Sequence, residues 1–334
     1  MVSSRTSGST NDAQRLRPPR PCEQFPTQGG ALLHPPPTVD PTREPLAGER
    51  PECVNFVPTR PHAQRRRAAV TRLPVKKTYK LFIGGEFPRS ESGRTFEAGG
   101  QNVARASRKD ARDAVRAARA AFPAWSGMTA YNRGQILYRL AEMMEARATD
   151  LESACSGRQE VEAAIDRVVW YAGWADKLAQ VLGSSNPVAG PYFNFTVPEP
   201  TGVVAVLAPA EPALEGLVSR ILPVLVGGNA VVAVASEAHP LAAIELAEAL
   251  ATSDLPGGTV NILTGFRDEL APWLAGHMDV NALDISCADG TTAELERLAA
   301  ENVKRVVRSS ADVQSPWEIG AFMELKTVWH PIGL

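Results

Sequence analysis

Few side chains in this sequence could do covalent or acid–base chemistry. Cys22, Cys53, Cys155 and Cys287 are the only cysteines, and they show no CxxC pair and no zinc-ligand spacing. That pattern fits a reducing compartment without structural disulfides. A cysteine nucleophile must be held as thiolate by a basic neighbour or a helix N-terminus. Cys287 closes a short apolar run with no histidine or base beside it, so it reads as a small core residue, and Cys155 falls inside a helical pattern and reads as packing. His239, His277 and His330 are too dispersed to form a metal site and read as surface or capping groups. Glu211 and Glu237 each follow an apolar run: the first reads as a solvent-exposed loop acid, with a base in divergent chemistry as the alternative, and the second as an acid at a helix start, where the helix dipole favours it. Neither GxGxxG nor a Walker motif is present.

The elements that must position these groups are easier to read. TYKLFIGGEF (residues 78–87) alternates around Gly84-Gly85 and predicts a short hairpin. Residues 107–125 predict a helix opened by Ser107 as N-cap with Asp110 at its third position, close to a capping box, with Ala111, Ala114, Val115, Ala118 and Phe122 as its apolar stripe. Residues 132–156 predict a second long helix with Ile136, Leu137, Leu140, Met143 and Met144 inward, and residues 160–183 a third, packed by Trp170, Tyr171 and Trp174. Beyond Pro198, five short β-rich runs (202–208, 229–235, 259–265, 280–286 and 304–309) alternate with helical stretches that end near glycine or another breaker. Near-continuous apolar strands with crossover helices mean a parallel sheet covered on both faces.

Composition sets the limits. Residues 1–75 hold 13 of the 27 prolines, with 11 arginines against 6 acidic residues and no Lys, Trp or Tyr, which predicts a disordered tail. The alternatives are an upstream start, since Val70 opens a sensible N-terminus, and an arginine-rich partner-binding arm. The remaining 259 residues carry 24 Lys+Arg against 31 Asp+Glu, an acidic balance that argues against sequence-independent nucleic-acid binding. No run of 18 apolar residues exists, and Arg65–Arg67 is not followed by an apolar signal region, so the expected location is the cytoplasm without a membrane span.

RGQILYRLAEMM (133–144), YAGWADK (171–177), EPTGVVAVLAP (199–209), GNAVV (228–232), LPGGTVNILTG (255–265) and ELKTVW (324–329) follow one another as similar segments do in aldehyde dehydrogenases. The chain resembles that family from Lys80 to Val307 and again at its C-terminus. The resemblance implies an α/β, Rossmann-type parallel sheet with flanking helices, an N-terminal helical region and a β-arm. It also implies NAD(P) as hydride acceptor, a cysteine nucleophile, a general-base glutamate and an oxyanion-binding asparagine.

Carried over position by position, the resemblance thins at the site. Pro209-Ala210-Glu211 stands for Pro-Trp-Asn, and a carboxylate at Glu211 would repel a developing oxyanion, removing roughly 3 kcal/mol of stabilisation. Val234-Ala235-Ser236-Glu237 stands for Lys-Pro-Ala-Glu, Gly265-Phe266-Arg267 for Gly-Phe-Gly, and residues 287–292, with Asp289, for Gly-Ser-Thr-Glu-x-Gly. Pro209, Glu237 and Gly265 are what remains of the cofactor site. After KRVV the segment that would carry the general base reads RSSADVQSP, and the cysteine segment has no counterpart, so no catalytic or metal residue is assigned. Fourteen residues, 308–321, stand where a lobe of the family fold would be.

The domain reading is a tail over 1–75, a nucleotide-binding-type body over 76–309, and a linker with an assembly strand over 310–334. In the family that last strand and an early hairpin form an arm that extends a neighbouring subunit's sheet. The expectation is therefore a homo-oligomer, or a hetero-oligomer with a full-length aldehyde dehydrogenase, in a structural or regulatory role; the simpler pairing is with the 80–87 hairpin of the same chain. An active NAD(P)-dependent oxidoreductase acting on aldehydes and a nucleotide-binding module without chemistry are the alternatives.

Overall fold

The computed structural model describes residues 75–288, 290–309 and 314–333, so the expected disordered tail, but for its last residue Val75, lies outside the described residues. Strands β1 (Thr78–Tyr79), β2 (Thr95–Ala98) and β3 (Gln101–Ala104) form a small sheet in the order β1-β3-β2. The expected hairpin is a tight turn: Ile83 and Glu86 exchange backbone hydrogen bonds, and Gly84 and Gly85 sit at φ 69° and 85°, as a type I′ turn requires.

Helix α1 (Arg108–Ser126) starts at a complete capping box. The Ser107 hydroxyl accepts from Asp110 N–H, and the Asp110 carboxylate accepts from Ser107 N–H at 2.7 Å. The second long helix is two: α2 (Ala130–Ala146) stops at Arg147, whose φ of −110° is not helical, and α3 (Ala148–Ala154) restarts beyond it with Leu151 buried. The third also breaks. α4 (Arg158–Ala172) ends at Gly173, and a turn leads to the short α5 (Leu178–Leu182). Repeating apolar positions carry through both breaks, which is why periodicity alone does not mark them.

β4 (Ser184–Asn186) and β5 (Tyr192–Pro200) precede the alternating core. That core runs β6 (Val203–Leu207), α6 (Ala213–Val226), β7 (Ala230–Val234), α7 (Pro240–Leu250), β8 (Val260–Leu263), α8 (Arg267–Gly276), β9 (Ala282–Asp284), α9 (Thr292–Ala300) and β10 (Arg305–Val307). The sheet order is β10-β9-β6-β7-β8 with every pair parallel, as expected from the continuous apolar runs.

Alternate strand residues feed two cores. Val204, Val206, Val231, Ala233 and Ile262 pack with α2, α4, α6 and α7, whereas Val203, Ala205, Leu207, Val232 and Val234 pack with α1, α8 and α9. The sheet is doubly wound. At the β8 edge, Phe82 exchanges backbone hydrogen bonds with Ile262, which docks the first turn on the sheet.

After α10 (Pro316–Gly320), β11 (Met323–Pro331) pairs antiparallel with β5 along its whole length, from Met323↔Pro200 to Pro331↔Tyr192. Its partner within the chain is therefore β5 and not the 80–87 segment. The two ends of the short connection between β10 and β11 are held together. The Arg305 guanidinium donates to the Ala321 and Met323 carbonyls and pairs with Glu324 at 2.8 Å.

Candidate functional site

In a doubly wound sheet, ligands bind outside the carboxyl ends of the strands where the order reverses. Here the reversal lies between β6 and β9. α6 leaves β6 toward one face and α9 leaves β9 toward the other, so the two loops part. The loops after β6, β7, β8 and β9 carry Pro209, Glu211, Glu237, Gly265, Arg267 and Cys287 to this edge. Asp289 lies outside the described residues.

Each of these residues already has a partner in the chain. The Pro209 ring lies on the first turn of α6, so close that a Cβ on Gly216 would overlap its Cγ. Gly265 has φ +143°, and a Cβ there would stand 3.1 Å from the Ala106 nitrogen; its bareness serves the chain's own backbone. The Glu237 carboxylate accepts the backbone N–H of Arg267 and so caps α8, which has no cap from its own N-cap residue Phe266. Arg267 does not stand free as a bulky cation: its guanidinium donates to Ala208 O at 2.6 Å and to Cys287 O. Val234 and Cys287 are both buried.

A second cluster lies beside this edge. Cys155, Ser156, Glu160, Glu211, Pro212, Ala213 and His239 line a cavity of about 380 Å³. Glu211, 75% exposed, shares a hydrogen bond with His239 Nε2 at 2.9 Å. The Glu160 carboxylate is buried and accepts from Ser156 N–H and Oγ–H and from the N–H groups of Leu214 and Glu215, so it serves as the missing cap of α6. Burial pushes its carboxyl up, but those hydrogen bonds outweigh burial and leave it below the usual range. Burial pushes the Cys155 thiol up, away from thiolate character, with Glu160 adding to the effect. Both effects act against thiolate formation at this cysteine.

Sequence reading placed Cys155 in packing and missed that it joins Glu160, Glu211 and His239 around one cavity. No local signal could have shown this, because the four residues come from three separate stretches of the chain. His277 closes α8, where its Nδ1 accepts from Asp279 N–H, in keeping with a capping role. Among the described residues no set of three or more His, Cys, Asp or Glu side chains is placed to hold a metal ion. Nor is any helix among them long and apolar enough to cross a membrane.

The aldehyde dehydrogenase family model matches residues 97–311, nearly two thirds of the sequence. The chain belongs to the aldehyde dehydrogenase family. It is 34% identical over 255 residues to retinal dehydrogenase 2 of Gallus gallus, covering 70% of this chain and 48% of that protein. A Bacillus cereus aldehyde dehydrogenase solved in complex with NAD+ is similar at 28% identity with a TM-score of 0.63, covering 69% of this chain and 50% of that one. The HpcC protein of Thermus thermophilus is similar at 31% identity and a TM-score of 0.65, covering 70% and 48%. The chain thus spans about half the length of the family members it matches.

Proposed function

We propose that this aldehyde dehydrogenase family member is catalytically impaired and acts as a structural or regulatory subunit, assembling with itself or with a full-length aldehyde dehydrogenase in the cytoplasm. The observation that carries the proposal is the division of the molecule between a site turned inward and an edge turned outward. At the site, the residues left from the cofactor pattern serve the fold: Pro209 packs α6, Glu237 caps α8 and Gly265 admits Ala106. An acid, Glu211, holds the position of the oxyanion amide. NAD(P) binding is weak or lost on this reading.

At the edge, β11 pairs with β5 on one side only, and its other side is unpaired among the described residues. Leu325 and Trp329 are 56% and 59% exposed on that strand, and Tyr192 stacks edge-on against Trp329 at 5.8 Å. An exposed strand edge with apolar side chains recruits a further strand. In domain terms, 76–309 is the nucleotide-binding-type body and 310–334 the connection and assembly strand.

Three measurements test this. Affinity purification from native cells should bring down a full-length aldehyde dehydrogenase or a second copy, and an aldehyde-dependent NADH assay of the pure chain should show no turnover. A chain that purifies alone as a monomer overturns the assembly role. Turnover of an aldehyde with NAD(P) overturns the impairment and restores the oxidoreductase reading. Thermal stabilisation by NAD without turnover selects the nucleotide-binding module.

A further inference from the structure

The crevice between β6 and β9 opens by construction, because successive helices leave the two strands toward opposite faces. Two arginines bridge its sides: Arg220 of α6 pairs with Asp284 at the end of β9 at 3.6 Å, beneath the surface, and Arg267 lies across the loops. Arg267, the first residue of α8, reaches in from the loop after β8. Its Nη2 donates to the carbonyl of Ala208, the residue that follows the end of β6. Its Nη1 donates to the carbonyl of Cys287, just beyond β9. Its backbone N–H meanwhile donates to Glu237 in the loop after β7. A single residue therefore links the loops that follow three strands. The planar fork of a guanidinium suits this, since it offers several donors at fixed angles and cannot lose its charge.

We infer that Arg267 is a built-in occupant of the ligand crevice, an internal plug that excludes dinucleotides from this chain. A pyrophosphate at such an edge needs free backbone N–H groups at a helix N-terminus. The first N–H of α8 is taken by Glu237, whose negative charge also opposes a phosphate. To enter, a dinucleotide would have to displace the guanidinium and leave the Ala208 and Cys287 carbonyls without their donors. The inference deepens the proposed function, since it names the residue that closes the cofactor site on which that reading rests.

The test is titration of NADH, followed by its own fluorescence, into the full chain and into the variants Arg267→Gly and Arg267→Lys. Glycine opens the crevice and permits close backbone approach; lysine keeps the charge but presents one ammonium to two carbonyls. R267G should bind NADH at least about tenfold tighter than the unaltered chain, with R267K between them. Equal affinity in all three proteins, or binding by none, overturns the plug. Should R267G fail to fold, R267K against the unaltered chain decides by the same criterion. Co-purification of the unaltered chain with a partner is independent of these outcomes, so the plug and the assembly role fail separately.

Discussion

Replacing Asn229 with alanine should destabilise the body by about 3 kcal/mol. Asn229 is fully buried in the turn before β7 and makes three side-chain hydrogen bonds. Its Oδ1 accepts from Gly202 N–H at 2.8 Å, while Nδ2 donates to Val224 O at 3.2 Å and Phe322 O at 3.1 Å. The three bonds are not equal. Val224 O keeps the Asn229 backbone N–H, and Phe322 O keeps both the N–H and the hydroxyl of Thr201, so each of these losses is worth about 1 kcal/mol or less. The Gly202 N–H has no other partner among the described residues, and orphaning it costs about 1–3 kcal/mol. Urea unfolding followed by tryptophan fluorescence should show the midpoint falling by about 1 M with unchanged slope, taking a slope of about 3 kcal/mol/M. Because Phe322 leads into β11, hydrogen exchange of residues 322–325 should quicken more than that of β7. A midpoint shift below about 0.3 M, with unchanged exchange at β11, would show that Asn229 does not hold Gly202 and Phe322 in place.

Further outcomes follow from other groups. Lys304 is buried, its Nζ donates to Asn302 Oδ1, and it forms no ion pair among the described residues; burial pulls its amine down to about 8. The folded state releases this proton before the unfolded state does, so stability rises between pH 8 and the ordinary lysine value of 10.5. Lys304→Met should therefore add about 1–3 kcal/mol of stability at pH 7, read as a higher melting temperature, and the advantage should vanish by pH 10.5; an advantage that grows with pH would contradict this. Glu160 has the opposite sign. Its carboxyl is held low, so its contribution is present above the ordinary carboxylate range and lost as pH falls through the folded value. Glu160→Gln should lose about 1–2 kcal/mol at pH 7 and show a shallower acid decline, checked by melting curves from pH 7 to pH 3. Leu325→Ser with Trp329→Ser should weaken self-association in sedimentation while leaving the melting temperature of the monomer within about 2 °C, since both side chains are exposed.

The parallel sheet was legible because strands buried on both faces must be apolar throughout, and GVVAVLA, NAVVAVA and TVNILTG can hardly be anything else. β5 was not legible. YFNFTVPEP is half exposed, carries Pro198 and Pro200, and takes its register from a strand more than a hundred residues away. At the site, sequence comparison marked Glu211, Val234 and Arg267 as departures from the family pattern, but not what they do instead. The partners of Arg267 are two backbone carbonyls and one carboxylate on other loops, and a backbone carbonyl carries no residue-type signal. Likewise, Glu160 reads in sequence as one more acid in the first turn of its own helix, whereas in the fold it caps another helix.

The clasp of Arg305 on Ala321, Met323 and Glu324 has a bearing on how such a chain could arise. It brings the exit from the last parallel strand and the return into the terminal strand to one point, whatever lies between. A detour of any length could leave and rejoin there, because the entropy of closing a loop grows only slowly with its length. An entire lobe is then an exchangeable cassette, and its loss need not disturb either sheet. Were a chain to shed it, selection for the family's asparagine, lysine and glycine at positions 211, 234 and 267 would lapse, while selection on the scaffold that carries β11 would not.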